Sequence, residues 1–213
     1  MSLDEMPIND KSDKAVEPPE KDASRQMMLE LMEGGKIQIA ANQATPNEVT
    51  NIGQIARLTL PTGFEPGVKR AGTSGNNFFA EYHLASDPDV LLYFEYRGAR
   101  MSKASSDSFR QLLEGPAHHI KADQLQEFGE LLSDKRNPKD FRVDVARTQD
   151  LNGKRVLVVE GRYLKHDLQA RTIYIDADGS GSAVQEVTFQ TPPDKVNQHF
   201  LSGVQALESI KWK

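Results

Sequence analysis

The feature that most limits what this chain can become is the run from residue 141 to 189, "FRVDVARTQDLNGKRVLVVEGRYLKHDLQARTIYIDADGSGSAVQEVTF". β-Branched and aromatic residues dominate it, and polar turn residues break it at short intervals, which suits strands joined by hairpins. Asn152 and Gly153 give the firmest turn signal, because both accept the positive φ that a type I′ turn requires. In "RVLVVEGRY", Val156 and Val158 oppose Leu157 and Val159, so this strand needs cover on both faces.

The loop "DADGSGS" in this run also raises a question of metal chemistry. Asp176, Asp178 and Gly179 resemble positions 3, 5 and 6 of an EF-hand calcium loop. That frame puts Tyr174 at position 1 and Gln185 at position 12, so the bidentate carboxylate is missing, and the flanks are strand-like where an EF-hand needs helices. Asp178-Gly179 followed by Ser180-Gly181 instead reads as a hairpin turn, with no metal and no cofactor expected.

Upstream, "KIQIAA" and "IARLTL" alternate as short strands, and "PTGFEPG" reads as a breaker-rich loop. "FFAEYHL" and "VLLYFEYR" read as antiparallel neighbours joined by "ASDPD". Val90, Leu92 and Phe94 oppose Leu91 and Tyr93 in the second, which again calls for cover on both faces. "SSDSFRQLLEG" presents Phe109, Leu112 and Leu113 on a helical stripe, and "ADQLQEFGELL" presents Leu125, Phe128 and Leu132. The last helix is expected to be capped by Thr191, with Pro192 at its first position, Asp194 completing a capping box, and Val196, Phe200, Val204, Leu207 and Ile210 on its apolar face.

Two strands needing double cover, hairpin connections and helices both mid-chain and at the end predict an α+β fold. The expected form is an antiparallel sheet of about six strands with helices on both faces, an α/β/α sandwich. It spans residues 36–213. Residues 1–21 read as a disordered acidic tail, and residues 22–34 as a short amphipathic helix with Asp22 as N-cap and Met28, Leu31 and Met32 on one side.

Charge separates these parts. Residues 1–33 hold nine acidic and four basic side chains, which accounts for the whole net charge of −5, while the remaining chain carries twenty-two of each. A neutral body lacks the basic field that nucleic-acid binding needs, and no apolar run supports membrane insertion. The first thirty residues hold Asp4, Glu5, Asp10 and Asp13 and resemble no signal peptide. The chain as given therefore reads as cytoplasmic, or as exported or lipid-anchored if its N-terminus has been trimmed. The absence of cysteine removes disulfides and thiolate chemistry.

Three stretches resemble the PsbP-like family, which groups the extrinsic photosystem II protein with related Ran-binding import factors. "IARLTLPTGFEPG" is similar to its opening strand and Pro-x-Gly-aromatic corner, with Phe64 where tryptophan is frequent. "LNGKRVLVVEGRY" resembles its hairpin into a central strand, and "HFLSGVQALESIKW" its terminal helix. The resemblance covers roughly residues 52–212. It implies a fold used mainly as a noncatalytic binding and assembly module, and it transfers no metal ligand or partner-contact residue to a matching position.

The chemical candidates are few. His118 and His119, with Glu114 before them, could serve acid–base or metal chemistry, although adjacent loop residues do not both face one centre and a capping role suits them better. Arg97, Arg100 and Lys103 could hold an anion or an acidic partner segment, or form a solvated basic turn. His83 and His166 stand alone. Ser74 and Ser180 sit in glycine-rich loops that lack the spacing of a nucleophile elbow. The leading expectation is a noncatalytic module for an unknown protein partner. The alternatives are a small-ligand carrier lined by residues such as Phe78, Tyr82 and Tyr93, and a hydrolase-type enzyme using His118 or His119.

Overall fold

A computed structural model describes residues 47–71, 78–97 and 101–213. The expected tail, the helix at 22–34, the strand "KIQIAA", Ser74 and Arg100 lie outside the described residues. Residues 44–213 form one compact unit.

Among the described residues there are ten strands and four helices, with all strand pairs antiparallel. The strands are β1 (Glu48–Ile52), β2 (Ile55–Thr59), β3 (Phe64–Ala71), β4 (Phe78–Leu84), β5 (Asp87–Arg97), β6 (Phe141–Leu151), β7 (Lys154–Tyr163), β8 (Leu168–Asp176), β9 (Val184–Thr191) and β10 (Lys211–Trp212). The helices are α1 (Lys103–Glu114), α2 (Ala122–Leu125), α3 (Gly129–Leu132) and α4 (Val196–Glu208), with 3₁₀ turns at Gln126–Phe128, Ser133–Arg136 and Pro193–Lys195. A seven-stranded sheet runs β3-β4-β5-β9-β8-β7-β6, and a separate three-stranded sheet runs β1-β2-β10.

The large sheet joins two hairpin series, β3 to β5 and β6 to β9, along a seam where Leu91 to Arg97 pair with Gln190 to Val184. Local turns fix the register within each series. Asn152 and Gly153 have φ of 49° and 88°, as a type I′ turn demands. Gly179 and Gly181, at 78° and 73°, turn the chain between β8 and β9.

Alternation divides the large sheet into two faces. On the first, Leu157, Val159, Ala170, Tyr174 and Val184 meet Phe109 of α1 and Leu125, Phe128, Leu131 and Leu132 of the segment that follows. On the second, Phe189 meets Phe200 of α4 at 6.3 Å between ring centroids, and the small sheet adds Ile55 and Leu58 to the core. Helices therefore lie on both faces of an antiparallel sheet, and the run Val156 to Gly161 is buried throughout, as its two apolar sides require. A Cβ on Gly203 would come within 2.4 Å of the Phe189 ring, so glycine sets how closely α4 approaches β9.

Several local expectations fail for identifiable reasons. "FEPG" belongs to β3 rather than to a loop, because an edge strand tolerates Pro66 and the irregularity between Pro66 and Lys69. Pro88 and Asp89 lie inside β5. The expected second helix breaks into α2, a 3₁₀ turn, α3 and another 3₁₀ turn, while still burying Leu125, Phe128 and Leu132. Thr191 ends β9 and caps nothing; its hydroxyl bonds the Pro192 carbonyl, a 3₁₀ turn starts at Pro193, and α4 starts at Val196. In β5, Val90, Leu92 and Phe94 are sealed, but Leu91 and Tyr93 are half-buried, so this strand is fully covered on one face alone.

Candidate functional site

The two histidines act as backbone fittings. Residues 118–120 run beside β6: the Thr148 amide donates to the His118 carbonyl at 2.9 Å, and the Ile120 amide to the Ala146 carbonyl at 2.8 Å. The His118 amide donates to the Thr148 hydroxyl at 3.1 Å. Its ring Nδ1 lies 2.7 Å from the Pro116 carbonyl, which can only accept, so Nδ1 carries the proton. His119 is exposed and pairs as an isolated bridge with Arg147. Glu114 pairs with Arg110 at 3.7 Å. His118, His119 and Glu114 thus contribute to covering the outer edge of β6 and to the surface of α1.

Of the basic turn, Arg97 and Lys103 belong to different elements. Arg97 ends β5, whereas Lys103 opens α1 and pairs with Asp107 at 2.5 Å. Of the proposed ligand-pocket residues, Phe78 and Tyr82 lie across from Tyr96 and Leu92 on the second face, and Tyr93 lies on the first. The sheet itself separates them.

The loop after β8 has its carboxylate occupied. Asp176 accepts from the amides of Gly179 at 3.0 Å and Gly181 at 2.9 Å, with a longer contact from Asp178 at 3.4 Å. Burial pushes the Asp176 carboxyl above its ordinary range, and the amide donors offset only part of that rise. No group of three metal-ligating side chains occurs among the described residues.

Two buried ion pairs were not anticipated. On the second face Glu160 of β7 meets Arg171 of β8 at 2.8 Å, with both side chains almost fully enclosed. Arg147 and Glu208 approach the ends of this pair at 3.9 Å each. On the first face Lys135, in the last 3₁₀ turn of the cover, reaches Glu186 of β9 at 3.5 Å. Its ammonium lies 5.6 Å and 5.7 Å from the ring centroids of Tyr163 and Tyr174. Burial alone would discharge Lys135, but Tyr174, Glu186, Tyr93 and Tyr163 together hold it charged well above the ordinary lysine range. A glutamate within an otherwise apolar strand, as in "VLVVEG" and "AVQEV", was the available sign of both pairs.

Among the described residues, the cover on the first face stops beyond Lys135. There Phe79, Glu81 and His83 of β4 and Leu91, Tyr93 and Glu95 of β5 are all half-buried. The Phe79 and Tyr93 rings are 5.7 Å apart. His83 Nε2 lies 3.1 Å from Glu65 Oε1 of β3. A Cβ on Gly67, in the irregular stretch of β3, would come within 2.8 Å of Glu81 Oε1, so glycine leaves room for that carboxylate.

No family model matches the chain, and no curated protein does. Among solved structures, the solution structure of cyanobacterial PsbP from Synechocystis is similar at 11% sequence identity and a TM-score of 0.48, over 84% of this chain and 100% of that one. The chain thus has a weak fold-level likeness to PsbP, which bears on neither partner nor activity.

Proposed function

We propose that this domain is a noncatalytic protein-interaction module that binds through the uncovered part of its first sheet face, on β3, β4 and β5. The supporting observation is the uneven cover. The same face is sealed by α1, α2 and α3 over β6 to β9 and left half-exposed at Phe79, Leu91 and Tyr93. Half-exposed aromatic residues held in register on paired strands supply large contact area with few rotatable bonds, the property of binding anchors. The residues best suited to acid–base chemistry support this reading from the other side, because His118 is held by Pro116 and Thr148 and Glu114 pairs with Arg110.

The test uses a photo-crosslinking residue at position 79 in the full chain, expressed in its own cells, with position 165 on the β7–β8 turn as control. A discrete adduct at 79, absent at 165 and lost when Leu91→Ser and Tyr93→Ser are added, is the expected result. Equal labelling at both positions, or an adduct insensitive to the two substitutions, overturns the proposal. The melting temperature of the substituted protein is measured alongside, to confirm that it remains folded.

A further inference from the structure

We infer that this open face takes an arginine-bearing segment of the partner, with a guanidinium seated on the Phe79–Tyr93 ring pair between the carboxylates of Glu81 and Glu95. The inference rests on the reading of β3–β5 as an interaction surface and adds the chemistry of what binds there.

The register of β4 and β5 creates the seat. Phe79 lies directly across from Glu95, and Glu81 directly across from Tyr93. The four side chains therefore form a checkerboard, with the two rings on one diagonal and the two carboxylates on the other. Directly paired residues on one face stand about 4.5–5.5 Å apart at Cβ. Glu95 stands beside the rings, whereas Glu81 Oε1 lies against Gly67 of β3, so Glu81 turns toward the rings when a cation above them meets both carboxylates. Glu95 also stands across the seam from Glu186, whose charge Lys135 already matches at 3.5 Å.

The molecule already contains the filled version of this arrangement. Glu186 with the rings of Tyr163 and Tyr174 holds the Lys135 ammonium on the same face. At that position the chain supplies the cation itself. At the neighbouring one, neither Glu81 nor Glu95 enters an ion pair among the described residues. Arg70, directly across from Phe79 on β3, is exposed and pairs with neither carboxylate, while His83 faces Glu65.

Arginine fits this half better than lysine. A planar guanidinium can lie flat on an aromatic ring and donate in two directions in its own plane, whereas an ammonium is a strongly hydrated point charge that gains most from enclosure. Lys135 is enclosed; the checkerboard is half-open. A surface seat of this kind favours the side chain that tolerates partial hydration while keeping its in-plane donors.

The probe is a dye-labelled short peptide of alternating arginine and leucine, titrated into the full chain by fluorescence anisotropy at low and moderate salt. Versions with citrulline or lysine in place of arginine accompany it. The expected result is saturable binding that weakens with salt, and that falls by about tenfold or more with citrulline or with Glu81→Gln combined with Glu95→Gln. Glu65→Gln serves as the control and should change affinity by less than about threefold. If the citrulline peptide binds as tightly as the arginine peptide and both are lost with Phe79→Ser and Tyr93→Ser, the arginine inference falls and the interaction surface stands. Binding indifferent to every substitution on this face removes both. No saturable binding overturns the inference alone, because crosslinking at position 79 decides the underlying reading separately. Self-association abolished by the same substitutions would identify a second copy of the chain as the occupant and likewise overturn the inference.

Discussion

At the residue scale, the decisive groups are those whose bonding capacity is already committed. Asp176 illustrates this. Its oxygens receive the Gly179 and Gly181 amides, so a calcium ion would have to displace bonds that shape the turn. Calorimetric titration with calcium is expected to show no submillimolar binding, and a saturable heat signal would refute that assignment. Because burial raises the Asp176 carboxyl, its protonated form is favoured by folding. That contribution is complete below the ordinary value of 3.8 and is lost as pH rises through the raised value. An NMR titration of the Asp176 side chain should accordingly have its midpoint above 3.8. Gly203 is committed by space rather than bonding. Alanine there would press its Cβ on Phe189, forcing α4 outward at a cost of about 1–3 kcal/mol, measurable by denaturant unfolding. An unchanged midpoint would mean that α4 shifts without strain.

At the element scale, the cover of the first face depends on one long side chain. The segment after α1 is broken into single helical turns, too short to hold themselves together in water. Leu125, Phe128, Leu131 and Leu132 dock it by apolar contact, and Lys135 pins its end to Glu186. Lys135→Met leaves Glu186 buried beside Glu95 without its cation, and the loss should be about 3–5 kcal/mol. Adding Glu186→Gln should recover much of it. Since Lys135 stays charged above the ordinary 10.5, its contribution is complete at any lower pH and disappears only as the solution is made more alkaline than its raised value. The stability difference between the protein and the Lys135→Met, Glu186→Gln double variant should therefore be flat from neutrality to about pH 10, as read by urea titrations along that range; a decline nearer neutrality would contradict the pairing. The same elements indicate what the chain discloses beforehand. Asn152-Gly153 and the apolar run of β7 act through local backbone and period, so both are legible in one dimension. Glu186 shows as a charge within a strand, but its partner Lys135 lies 51 residues away (186 − 135), and the checkerboard exists only once β4 and β5 are in register, so neither arrangement is legible from a local pattern. β3 was hidden for the opposite reason: its Pro66 and Gly67 are local signals of a break that an edge position overrides.

At the scale of the whole molecule, the seam between β5 and β9 joins two unequal halves. In the half built from β6 to β9, β7, β8 and β9 are buried on both faces, and β6 is partly exposed but has its outer edge covered by residues 118–120. The half built from β3 to β5 is sealed on one face only along β5 and the middle of β4, is half-open on the other, and ends in an edge strand carrying Pro66, Lys69 and Arg70, whose proline and charges discourage further strand pairing. Opening free energies follow such differences in burial, and regions used for binding are drawn from the less stable end. Native-state hydrogen exchange should therefore divide the sheet. Amides of β7, β8 and β9 should exchange only through global unfolding, with a denaturant dependence equal to that of the whole protein. Those of β3 and the outer side of β4 should exchange through smaller openings with a weaker dependence. If β3 proves as protected as β8, the uneven cover has no energetic counterpart and the open face is as rigid as the core. If the division holds, occupation of the checkerboard by a partner should slow exchange in β3 and β4 while leaving β7 and β8 unchanged, because binding stabilises against only those openings that disrupt the site. Slowing spread uniformly over the sheet would instead place the occupant across the seam, with both halves in contact.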